Sequence, residues 1–215
     1  MLYLEKKLAD LPYYTKQNLS LALGKNKDAL DYWIKKLIKN QALIPLKKGL
    51  YISTYYLDLI KAKGKEEEYL EYLAGVIRSP SYLSLEYALS KYGIIPEAVF
   101  AITSITTKST RSYQSGLTGF YYRNLKTKLF TGFTEQNFGK QKIRIATPAK
   151  ALFDFLYLKK FSCLAQKKDY LLSDGRINWE VFKKNDQKDF RQYVKLSASK
   201  KMLEIDKILK INKLL

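Results

Sequence analysis

Apolar positions in the first quarter of the chain change period twice. Leu19, Leu21, Ala22 and Leu23 follow the polar starter Thr15 and stop at Gly24, which predicts a short helix closed by a tight turn. Asn26 suits the cap of a longer helix, because Leu30, Ile34 and Leu37 recur at the spacing of one buried stripe, with Trp33 alongside. After Asn40 the period shortens. Leu43 to Leu46 and Leu50 to Ile52 flank Lys47-Lys48-Gly49, predicting two short strands joined by a basic turn. Helix, turn, helix and hairpin in that order predict a winged helix-turn-helix over Thr15 to Ile52, with the basic turn as the wing. Upstream, Leu2, Leu4, Leu8 and Leu11 among charged residues predict an amphipathic helix over residues 2–11, ended by Pro12.

The remaining pattern is mixed. A linker around Ala62 to Lys65 precedes a helix that opens on Glu66, Glu67 and Glu68, where the macrodipole favours acids. Ser79-Pro80-Ser81 leads into Tyr82, Leu85, Tyr87, Ala88, Leu89 and Tyr92, a helical pattern ending at Gly93. Val99 to Thr107, Thr118 to Tyr122, Lys128 to Thr134 and Lys142 to Ala146 read as strands. Pro148 then opens a strongly apolar helix over Ala149 to Tyr157, and beyond Lys159 the spacing is helical. The expected fold class is therefore α+β: a winged helix over residues 1–53, a linker and connecting helix over 54–78, an α+β domain over 79–158 and a basic helical region over 159–215.

Composition narrows the chemistry. With 215 residues, 47% of them hydrophobic, the chain has enough apolar material for a real core. Its 39 Lys and Arg against 20 Asp and Glu give a formal charge of +19, a balance that favours nucleic acid or an acidic partner surface. Residues 1–53 hold ten lysines and four acids, a net +6, and residues 159–215 carry fifteen basic residues and seven acids, a net +8. Histidine is absent, which removes His-ligated metal sites, Ser-His-Asp triads and histidine general bases. Cys163 stands alone, so no intrachain disulfide is possible, and no apolar run approaches a membrane span. A cytoplasmic location without membrane contact is expected.

If Leu30, Ile34 and Leu37 face inward, Asp28, Tyr32, Lys35 and Lys39 lie on the opposite face of the long helix, flanked by Lys27, Asp31 and Lys36. Asn26, Lys27, Asp28, Tyr32 and Lys36 are candidates for base or groove contacts, and Lys35 and Lys39 for phosphates. Lys47 and Lys48 on the wing, with Lys16, Gln17 and Asn18 at the start of the preceding helix, suit phosphates beside the groove. The competing reading of the long helix is a solvated charged face. Further on, Lys108, Arg111, Arg123, Lys126 and Lys128 gather around the strands with Tyr113, Tyr121 and Tyr122 interleaved. Aromatics among cations stack on nucleotides, and they are equally what strand edges contain. Asp154 has no obvious acidic or metal partner and reads as a local cap or ion pair. With no Walker lysine motif and no nuclease constellation of carboxylates, no catalytic residue, metal site or cofactor is expected, and the chain reads as no enzyme.

Ile145-Ala146-Thr147-Pro148-Ala149-Lys150-Ala151-Leu152-Phe153-Asp154 resembles the AbiEi family, the antitoxins of bacterial type IV abortive-infection systems. Ser81-Tyr82-Leu83-Ser84 with Ala88-Leu89 and Tyr92-Gly93-Ile94 resembles that family's opening of the second domain, and Lys48-Gly49-Leu50-Tyr51 its wing. The resemblance runs to about Leu158. It implies an autorepressor that binds inverted repeats in its own double-stranded promoter DNA and counteracts a nucleotidyltransferase-like toxin, with or without direct contact. The basic set around Lys108 to Lys128 would then be a toxin-facing or nucleic-acid surface. A plain winged-helix transcriptional regulator, whose second domain senses a ligand or dimerises, is the alternative. The sequence leaves the oligomeric state open.

Overall fold

The computed structural model describes residues 8–215, apart from the side chains of Lys27 and Asp28. Most of the helix expected over residues 2–11 lies outside that range, and its described end, residues 8–11, is not helical although Leu8 is buried. The chain then forms β1 (Tyr14–Thr15), α1 (Lys16–Leu23) and α2 (Lys27–Lys39). Thr15 caps α1 by accepting from the Asn18 amide, and Gly24 ends it at a φ of 60°, a left-handed conformation that glycine adopts without steric cost. Asn26 caps α2. A hairpin follows, β2 (Leu43–Lys47) and β3 (Leu50–Ser53), turning through Lys48 and Gly49, whose φ of 79° again calls for glycine. Strand order in this small sheet is β1-β3-β2, all antiparallel.

Two helices, α3 (Thr54–Ala62) and α4 (Glu66–Ile77), connect to a six-stranded mixed sheet of order β6-β7-β5-β4-β9-β8. Its members are β4 (Ser81–Leu83), β5 (Ile102–Thr106), β6 (Arg111–Gln114), β7 (Gly119–Asn124), β8 (Phe133–Phe138) and β9 (Gln141–Ala146). Between β4 and β5 lies α5 (Leu85–Lys91), and after β9 come α6 (Pro148–Leu158), α7 (Leu164–Asp169), α8 (Lys184–Ser197) and α9 (Lys200–Ile211). The fold class is α+β.

Several boundaries differ from the periodicity: residues 54–78, expected as a linker and one helix, carry two helices, and the strand expected over Val99 to Thr107 begins at Ile102. The helix expected from Tyr82 begins only at Leu85, because Ser81–Leu83 is a central strand of three residues, too short to show a period of two. Strand β6 was not expected; its Arg-Ser-Tyr-Gln sequence is polar because it is an edge. The strand expected over Lys128 to Thr134 is displaced: Thr127–Leu129 is a 3-10 turn, and the strand runs over Phe133–Phe138.

Two apolar clusters meet at the hairpin. Leu19, Leu23, Leu30, Ile34, Leu37, Leu43 and Tyr51 form the smaller. The larger collects Leu46, Leu50 and Ile52 from the other face of the same hairpin, with α4, the large sheet, α6, and Phe190, Val194, Met202, Ile205 and Leu209 of α8 and α9. Every residue of β3 is buried, so this strand has protein on both faces.

Candidate nucleic-acid interface

The α2 stripe packs as its spacing requires: Leu30, Ile34 and Leu37 are each at most 5% exposed. Opposite them, Tyr32, Lys35, Lys36 and Lys39 all stand in solvent, Tyr32 at 62%. The Lys36 ammonium lies 4.9 Å from the Trp33 ring centroid, and that of Lys25, in the turn before α2, lies 5.3 Å from it. Trp33 itself is half-buried. Lys25 thus joins this face, although helical periodicity could not single it out because it sits in the turn.

Other candidates are committed locally. Lys16 donates to Asp31 at 2.6 Å, and that hydrogen bond raises its pKa above the ordinary lysine value. The Asn18 carboxamide belongs to the Thr15 capping box, and Asn26 Oδ1 accepts from the Ala29 amide at 3.2 Å. Gln17 is exposed. The side chains of Lys27 and Asp28 lie outside the described residues. On the hairpin the two lysines part company. Lys47 donates its ammonium to the Ile77 carbonyl at the end of α4, whereas Lys48 is exposed at the turn. Lys47 is the last residue of β2, past a register shift between Pro45 and Lys47 that breaks simple alternation, whereas Lys48 already belongs to the turn.

The second basic set does not form one patch. Arg111 pairs across the ladder with Tyr122, so both share the sheet face beneath α4, where the Tyr122 hydroxyl donates to the Ala74 carbonyl at 2.7 Å. Arg123, one residue on, points to the other face and lines a groove with Tyr121, Phe155 and Lys159. Lys108 sits on a turn held by the Asn124 carboxamide, which donates to the Thr107 and Lys108 carbonyls at 3.1 and 2.9 Å. Lys126 and Lys128 are exposed beyond β7.

No family model matches the chain, and no curated protein does.

The segment that carries the AbiEi resemblance is interior. Thr147 caps α6, Pro148 occupies its first turn, and Lys150 and Asp154, one helical turn apart, form an ion pair in which both side chains are 0% exposed. Asp154 Oδ2 also accepts from the hydroxyls of Tyr82 at 2.8 Å and Ser84 at 2.9 Å. Burial pushes the Asp154 carboxyl up and the Lys150 ammonium down, each opposed by its partner. Sealed from solvent, this cluster is a structural linchpin between α6 and β4 and has no access for a substrate. Among the described residues no three acidic or cysteine side chains converge as metal ligands would, and no helix is long and apolar enough to cross a membrane.

Proposed function

We propose that the chain is an antitoxin-type autorepressor: residues 14–53 act as a winged helix on promoter DNA, and the larger α+β body opposes a nucleotidyltransferase-like toxin. The observation that carries the DNA-binding half is the exposed face of α2, where Tyr32, Lys35, Lys36 and Lys39 stand together with Lys25 in the adjoining turn. Three cations and an exposed tyrosine on one helix face, with Lys25 and Lys48 at neighbouring turns, suit phosphates flanking a major groove. The antitoxin half rests on the sequence resemblance to the AbiEi family, whose motif here builds the α6–β4 junction.

Replacing Lys35, Lys36 and Lys39 together with alanine should weaken binding to the chain's own upstream DNA and lower the slope of log affinity against log salt by roughly 2 to 3, about 0.9 per lost phosphate contact. An unchanged slope removes α2 from the interface. Co-expression with the product of the neighbouring reading frame tests the other half: rescue of growth from a nucleotidyltransferase-like protein supports it, and failure to rescue leaves a plain regulator.

A further inference from the structure

The two halves of the large sheet meet where β4 runs parallel to β9, with one registered residue pair, Leu83 opposite Ile145. A cavity of about 330 Å³ opens on that seam, within the range of small-molecule sites. Its wall on the α4 side contains Gly75, where an added Cβ would meet no atom within 4 Å. A helix interior gains stability from alanine over glycine, so the glycine leaves room that the fold itself does not fill. Ser104 also lines the cavity, is 1% exposed, and its Oγ has no hydrogen-bond partner among the described residues. A buried hydroxyl without a partner is costly, and a bound group would satisfy it.

The lining is mixed. Tyr13 and Tyr72, with ring centroids 6.4 Å apart, offer flat apolar surface together with Leu83 and Ile143. Ser79, Ser81 and Ser104 offer hydroxyls. Lys142 and Arg144 stand exposed at the solvent side and share one carboxylate, Glu135, at 2.6 and 3.1 Å, while the other carboxylate of the lining, Glu71, is paired with Lys91 at 2.6 Å and accepts from the Tyr87 hydroxyl at 2.8 Å, so the positive charge left over lies at the Lys142–Arg144 end. We propose that this cavity binds a nucleoside 5′-monophosphate, with the base against the tyrosine rings, the ribose hydroxyls toward the serines and the phosphate at Arg144 and Lys142. Tyr13 immediately precedes β1, so the ligand touches the N-terminal unit as well as the body. The proposal stands whether or not the chain binds DNA.

Isothermal titration of the full chain with AMP, GMP, CMP and UMP tests it. At least one should bind with one-to-one stoichiometry, and at least tenfold more weakly to Gly75→Leu, which fills the cavity, and to Arg144→Ala. Gly75→Leu changes no charge, so loose attraction of anions to a chain of charge +19 is the same in both proteins. Ser104→Ala, which adds no bulk, supplies the comparison if leucine disturbs α4, and should weaken binding without lowering the stability of the free protein. Failure of all four nucleotides at millimolar concentration overturns the proposal. So does equal affinity in the wild type and the cavity variants, or binding of benzoate in place of every nucleotide.

Discussion

Asp154 is the residue on which the α6–β4 junction turns. Its carboxylate accepts from three donors, Lys150, Tyr82 and Ser84, and is fully buried. Removing its charge by Asp154→Asn keeps an oxygen acceptor but strands the Lys150 ammonium in the interior, which should cost about 3 to 5 kcal/mol of stability. Adding Lys150→Met should recover most of that loss, because no unpaired charge then remains. The sign of the pH dependence follows from the depressed Lys150 value. The unfolded chain holds the proton more tightly than the folded one, so the single variant should gain stability as pH rises from 7 toward 10. Urea midpoints at pH 7 and 9 check both statements, and an unaltered midpoint in Asp154→Asn would show that the pair contributes nothing. Sequence spacing made the local ion pair legible. Tyr82 and Ser84 were not, since they arrive from about seventy residues away through a strand that has no readable period.

At the scale of the element, the hairpin shows what a pattern reveals and what it hides. Its strands and turn were legible because apolar runs bracket a Lys-Lys-Gly turn, and the same reasoning found the helix starts at Thr15 and Asn26; that Thr147 caps α6 was not read from the sequence. Which of two adjacent lysines meets solvent was hidden, because it depends on where α4 ends. Lys47 reaches the Ile77 carbonyl and Lys48 does not. Lys47→Ala should therefore cost about 1.5 kcal/mol of stability through a lost charge-assisted hydrogen bond, with little change in the salt dependence of DNA binding. Lys48→Ala should do the reverse, leaving stability within about 0.5 kcal/mol and lowering the salt slope by about 0.9. Denaturant midpoints and binding titrations across a salt series separate the two; a slope that drops for Lys47→Ala alone would place the wrong lysine at the DNA. The short β4 and the polar β6 escaped the sequence for one reason: burial of a three-residue strand and pairing of an edge are set by neighbours, not by local alternation.

On the whole-molecule scale the N-terminal unit is not an appendage. Leu46, Leu50 and Ile52 belong to the large core, and the Tyr69 hydroxyl donates to the Pro12 carbonyl, so a chain cut after residue 53 would leave the face of α4 bare. Testing the proposed DNA binding apart from the proposed antitoxin activity therefore calls for surface variants on α2, not truncation. The same continuous core concentrates tyrosines. Tyr69, Tyr82, Tyr87 and Tyr122 are buried, and desolvation holds each hydroxyl far above the ordinary tyrosine pKa of 10.0. A raised folded pKa means that the stability these groups support is complete below pH 10 and is lost as pH climbs past it, because only the unfolded chain then gives up the protons. At pH 11 each contributes a loss of about 1.4 kcal/mol, about 6 kcal/mol for the four, which is comparable with the entire stability of an ordinary domain. Denaturant midpoints should therefore be flat from pH 8 to 9.5 and fall steeply above 10. Tyrosinate absorbance should follow in two stages, the exposed rings ionising first and Tyr69, Tyr82, Tyr87 and Tyr122 only as the chain unfolds. A single smooth titration of all tyrosines with the fold intact would mean that water reaches the interior of the sheet.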